Sequence, residues 1–312
     1  MPNDQSHDTR TTVAEDRVAA AVSLNVAGVA ASSVGDKWPD SFNGTSIVFD
    51  GFENPTMTPT LNTFNFSWSG NNATSIVTMT EGSSPGTATV VWNNGAINAE
   101  ANDGRDWSAK EGSHCLRFRY GSGVNMSEQR WYATQNEKEI WVLYWARVPV
   151  NFVATNAVHK FHSLWMTDYN NNLAAKFTWE LWDQTVNVNG LRCALTPAAH
   201  TSGQSSVDEI TPTSSPFIDS TRDRGRWMQL AYRVKTSSGQ GVADGLVENY
   251  RRWEDESSFT LLHSMTGLIV DPPADGTTDQ GWSGGFLMGY ANDAYSAETE
   301  WLIDSYEIAR GQ

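Results

Sequence analysis

The run HKFHS (159–163) sets Lys160 and His162 two residues apart. On a regular strand, residues so spaced share a face. Arg119 on HCLRFRY (114–120) supplies a second cation, and by strand parity Tyr144 and Tyr290 are the matching hydroxyls. Brought together, these five residues suit an elimination. A cation neutralises a carboxylate and so acidifies the neighbouring C–H. An imidazole, amine or phenol takes that proton, and a second such group protonates the departing oxygen. Held apart, they are polar groups on solvated sheet faces.

Other constellations are poorer. WELWDQ carries Glu180 and Asp183, but an offset of three puts them on opposite faces of a strand, so they cannot flank one glycosidic bond. No nucleophile elbow is present. Cys115 and Cys193 are too few for a disulfide scaffold and too widely spaced for a zinc motif, and their pairing stays open. Fourteen tryptophans are a large stock of flat apolar faces, and such faces stack on the C–H faces of sugars. Most are expected in the core. Trp107, Trp131 and Trp282 fall in or beside expected loops and are the candidates for glycan stacking.

Eleven segments can position these residues: 46–52, 74–80, 87–92, 114–120, 139–148, 157–167, 174–182, 227–235, 245–253, 284–290 and 301–309. Each is rich in β-branched and aromatic residues and bounded by turn formers. Their even spacing predicts an all-β chain of two stacked antiparallel sheets, with a closed barrel as the alternative. Loops 93–112, 196–222 and 265–283 would then lie at the rim.

Residues 1–40 differ in composition and read as an N-terminal arm ahead of a β domain at 41–312. Thr12 and Glu15 make a capping box for a helix over 13–24. The apolar run 17–34 follows a long acidic segment rather than a short basic one, so a cleaved signal peptide is not expected. No run is long and apolar enough to span a bilayer. A formal net charge of −15 without a basic run argues against a nucleic acid partner.

Four stretches occur in a telling order: FDGFEN (49–54), RVPVNFVATNAVHKFHSLW (147–165), GRWMQLAYRVKTSSGQGVADGLVENY (225–250) and GGFLMGYANDAYSAETEWLIDSYEIA (284–309). Together they resemble the concanavalin A-like lectin/glucanase jelly roll, and within it the polysaccharide lyases acting on alginate, glucuronan or heparin-like chains. The resemblance implies a two-sheet antiparallel β-sandwich. It implies a structural Ca2+ between entry and closing strands, at Asp50, Glu53 and Asp304, and no organic cofactor. For Arg119, Lys160, His162, Tyr144 and Tyr290 it implies β-elimination on a uronic acid.

One departure directs the functional reading. Where the lyases carry a Gly-Gly-Lys-Leu-Pro-Gly-like core, this chain reads Val158-His159-Lys160-Phe161-His162-Ser163, keeping only the lysine. The first expectation is therefore a non-catalytic glycan-binding or structural module on a larger assembly such as a virion. Residues 1–40 would contact another protein or another copy of the chain. The alternative is a lyase for an acidic glycan, and the third reading a secreted lectin-like adhesin. All three place the protein outside the cell or on a virion surface.

Overall fold

The computed structural model describes residues 37–54, 56–72, 74–79, 88–91, 109–149, 151–153, 158–167, 169–170, 175–183, 192–200, 217–219, 222–271 and 281–312. The expected helix over 13–24, the run 17–34 and Trp107 lie outside them. The chain divides into two units, Met1–Asp40 and Ser41–Gln312.

In chain order the strands are β1 (Thr45–Asp50), β2 (Leu61–Asn62), β3 (Ser67–Asn72), β4 (Thr74–Met79), β5 (Ala88–Val91), β6 (His114–Tyr120), β7 (Met126–Glu137), β8 (Glu139–Arg147) and β9 (His159–Met166). They continue with β10 (Lys176–Asp183), β11 (Arg192–His200), β12 (Ile218–Asp219), β13 (Trp227–Lys235), β14 (Gly245–Trp253), β15 (Thr260–Leu268), β16 (Trp282–Tyr290) and β17 (Thr299–Arg310). Ten of them form one sheet in the order β15-β14-β13-β8-β17-β6-β4-β5, with β1 on β17 and β2 on β1. The other seven run β12-β11-β10-β9-β16-β7-β3. Every pairing is antiparallel, and the chain passes repeatedly from one sheet to the other, as in a jelly roll. The closed-barrel alternative is set aside.

All eleven expected strands are present. Six more were not expected: β2, β3, β7, β11, β12 and β15. β7 reads MSEQRWYATQNE, too polar to stand out as a run, yet it pairs along both edges with β16 and β3. β11 (192–200) and β15 (260–268) each run a few residues into the stretches expected as loops, 196–222 and 265–283.

The two inner faces meet in one continuous core. Ile140, Val142, Tyr144 and Ala146 of β8 face Leu164, Met166, Phe177 and Trp179 of the other sheet. Their alternation assigns the opposite faces: Arg117 and Arg119 lie outside the ten-stranded sheet, Ser163, Trp165, Arg130 and Tyr132 outside the seven-stranded one.

One bulge decides the site. Trp179 pairs with His162 but Glu180 pairs with Lys160, so Phe161 is an extra residue on β9. Phe161 and His162 therefore both turn inward, Phe161 onto Trp301 (5.0 Å) and His162 onto Tyr232 (4.2 Å). Lys160 stays outside.

Candidate functional site

The expected catalytic five do not converge, which corrects the reading from strand parity. His162 is fully buried beneath Tyr232, Trp179 and Tyr144, and burial pulls its pKa down to about 3. Tyr144 is equally buried, its hydroxyl donating to Tyr232 Oη at 3.0 Å, and burial raises its pKa. Arg119 lies across the sandwich from Lys160, with its Nε donating to Glu298 at 2.7 Å. Lys160 and Tyr290 do meet: the ammonium sits 5.7 Å from the ring centroid, and Tyr290 is 40% exposed.

Two of the proposed stacking tryptophans are also core residues. Trp131 sits on inward-facing β7 against Phe66, and Trp282 opens β16 against Phe177 at 5.5 Å. The sequence puts both at loop edges because β7 is too polar to read as a strand and β16 begins two residues before its expected start.

The calcium set does not fit the ion. Asp50 is buried, accepting from Phe52 N (2.8 Å) and Trp68 Nε1 (2.7 Å), and burial raises its pKa. Glu53 is exposed and takes Ser113 N at 2.7 Å and the ring nitrogen of His114 at 2.8 Å. Its slight burial is outweighed by hydrogen bonds from His114 and Ser113, which bring its pKa to about 2. Asp304, outside the ten-stranded sheet, accepts from Lys110 N (2.8 Å) and Glu111 N (2.9 Å), while burial lifts its pKa to about 7. Carboxylate oxygens each turned toward their own N–H donors are not a shared oxygen cage. No group of three or more potential ligands gathers among the described residues. Glu53 and Asp304 instead pin the segment 110–114. The second, smaller apolar cluster, Cys115, Trp145, Trp227 and Leu302, lies on this outer side, with Cys115 fully buried.

What the fold does assemble is an aromatic and cationic surface outside the seven-stranded sheet. Register places Lys176, Trp165, Gly284 and Tyr132 in one row across β10, β9, β16 and β7. Thr178, Ser163, Phe286 and Arg130 form the next, and Glu180 pairs with Lys160 beyond it. Trp165, itself fully buried, is the floor beneath part-exposed Tyr169 (5.6 Å) and Tyr132 (5.9 Å), with buried Phe286 beside it (5.9 Å).

Adjacent glycines make the floor possible. A Cβ on Gly284 would drive into the Trp165 indole, and one on Gly285 would lie 2.7 Å from Trp131 Nε1 on the other face. Gly284→Ala is expected to cost about 2 kcal/mol through overpacking and to change the near-ultraviolet dichroism of the tryptophans. An unchanged urea midpoint would refute the close approach.

Charge lies beside the floor. Arg130 donates from Nε to Glu128. Burial raises the Glu128 pKa, opposed by Arg130 and Lys160. The surface thus offers two cations around one carboxylate, with phenols on both flanks at Tyr132 and Tyr290. Glu128, Arg130 and Tyr132 were missed with β7, although the alternation in SEQRWY signals them.

No family model matches the chain, and no curated protein is similar to it. Among solved structures it is similar to the alginate lyase Aly36B in complex with an alginate trisaccharide, with TM-score 0.48 and 11% identity over 64% of this chain and 82% of that one. It is also similar to the alginate lyase vAL-1 from Chlorella virus, at TM-score 0.45 and 8% identity over 66% and 88%. The VIP36 exoplasmic/lumenal domain in its Ca2+/Man3GlcNAc-bound form gives 0.36 and 11% over 65% and 80%. These likenesses are distant, and the jelly-roll assignment stands on the strand order itself.

Proposed function

We propose that the protein is a non-catalytic module that binds an acidic polysaccharide across the outer face of the seven-stranded sheet. It is displayed outside the cell, as on a virion surface, through residues 1–40. The observation that carries the binding role is the surface around Trp165. Tyr132 and Tyr169 offer ring faces to sugar C–H groups, while Lys160 and Arg130 offer charge to carboxylates. The non-catalytic role rests on the inward turn of His162, which removes the imidazole from that surface.

The test is an affinity measurement of the full chain with alginate, glucuronan and heparin-like chains, with the ultraviolet absorbance of an unsaturated product followed alongside. Saturable, salt-sensitive binding without product is expected, weakened about tenfold in Tyr132→Ala. Binding indifferent to that substitution would sink the assignment of the face. Product formation abolished by Tyr290→Phe would favour the β-elimination reading instead, because Lys160 and Tyr290 remain neighbours.

A further inference from the structure

Arg251 differs from several arginines of the sandwich that pair with carboxylates. Arg117 meets Glu300, Arg119 meets Glu298, Arg130 meets Glu128, Arg226 meets Asp223, and Arg233 meets both Glu139 and Glu248. Arg251 meets no carboxylate among the described residues. It lies on β14 at the face of Val247 and Trp253, pointing between the sheets, and one of its Nη atoms donates to the carbonyl of Phe217 just before β12. Its guanidinium is 5.6 Å from the Phe217 ring and 4.8 Å from the Trp253 ring. Its Nε is buried without a hydrogen-bond partner among the described residues.

The acids nearby are engaged elsewhere. Asp223 receives Arg222 Nε at 2.8 Å, Arg226 Nη1 at 2.8 Å and Asp219 N at 2.9 Å. Glu256 accepts from Trp253 N, and Asp255 from Arg226. Burial pulls the Arg251 pKa below the ordinary arginine value, against the pull of Glu256 and Asp223, and Arg222 and Arg226 add repulsion. A guanidinium largely out of water, walled by two rings and with no counter-ion among the described residues, is costly to bury. Its planar fork suits one group above others, a carboxylate held by paired N–H donors.

We propose that Arg251, between Phe217 and Trp253, is a binding site for a small carboxylate, separate from the outer face of the seven-stranded sheet. The carboxylate is that of a simple monocarboxylate or of a sugar acid. It completes the ion pair that the described residues leave open.

The full chain is melted in acetate, in glucuronate and in chloride at one ionic strength. Both carboxylates, or glucuronate alone if the ligand is a sugar acid, are expected to raise the melting temperature saturably, and chloride is not. Arg251→Met is expected to lose the response and to melt no lower than the parent in chloride, since the unpaired charge has gone. Arg251→Lys keeps a charge but not the fork, and is expected to bind at least about tenfold more weakly. Equal shifts in all three salts would overturn the site, as would a carboxylate response that persists in Arg251→Met or at full affinity in Arg251→Lys.

Discussion

His162→Phe is expected to leave stability within about 1 kcal/mol of the parent at pH 8, as a swap of similar shape, and to raise it by about 2 kcal/mol relative to the parent at pH 5. The buried imidazole stacks at 4.2 Å on Tyr232, and burial holds its folded pKa at about 3. In the unfolded chain an imidazole titrates near 6.5. As pH falls below about 6.5 the unfolded state takes up a proton that the folded state refuses until about 3, so stability drains away across that window. Phenylalanine has no proton to take up, so the variant escapes this loss.

His159 adds to the same acid loss in both proteins. Tyr120 Oη lies 2.8 Å from its Nε2, Tyr295 Oη lies 3.0 Å from its Nδ1, and burial lowers its pKa to about 3. Asp304 works the other way. Its folded pKa of about 7 stands above the unfolded value, so the folded state gains stability as pH falls through that range. Both contributions cancel in the comparison of variant with parent. Urea midpoints at the two pH values make the measurement, and an advantage of equal size at both would refute the buried, neutral assignment.

Glu300→Gln is expected to cost about 3–5 kcal/mol. Arg117 Nη1 lies 3.3 Å from Glu300 Oε1, and the two side chains are 1% and 3% exposed. Removing the carboxylate takes the charged partner Glu300 from a guanidinium held out of water, whereas replacing both residues by apolar ones is expected to recover much of the loss. Arg119→Gln serves as the contrast. Arg119 and Glu298 are about a quarter exposed, and Arg119 Nε is 3.9 Å from Glu300 Oε1 at the edge of the same buried carboxylate, so that loss should be smaller than the one in Glu300→Gln. A Glu300→Gln protein that melts with the parent would show that the buried pair is solvated.

Much of the fold was legible because apolar alternation and turn residues are local signals. HCLRFRY, WMQLAYRVK and GLVENYRRW became β6, β13 and β14 with their bounds unchanged. β7 was illegible because a strand interior to its sheet, with one face turned to a polar surface, need not be apolar overall. The site was only partly legible for a related reason. Lys160 and Tyr290 were picked out and do share a surface, but their expected partner His162 is separated from Lys160 by a single extra residue.

By itself, the amino-acid sequence determined that this is an all-β chain with an aromatic core, and which segments supply most of its strands. Side-chain chemistry and period-two alternation act within a few residues, so they can be read one segment at a time. The tertiary structure alone decided which way the alternation counts. The bulge at Phe161 comes from β9 pairing with β10, and the engagement of Arg119 and Asp304 comes from Glu298 and the segment 110–111. Gly284 matters only because the Trp165 indole of the next strand lies against it. Each of these depends on register between strands distant in the chain, where a slip of one residue carries a side chain from the surface to the core.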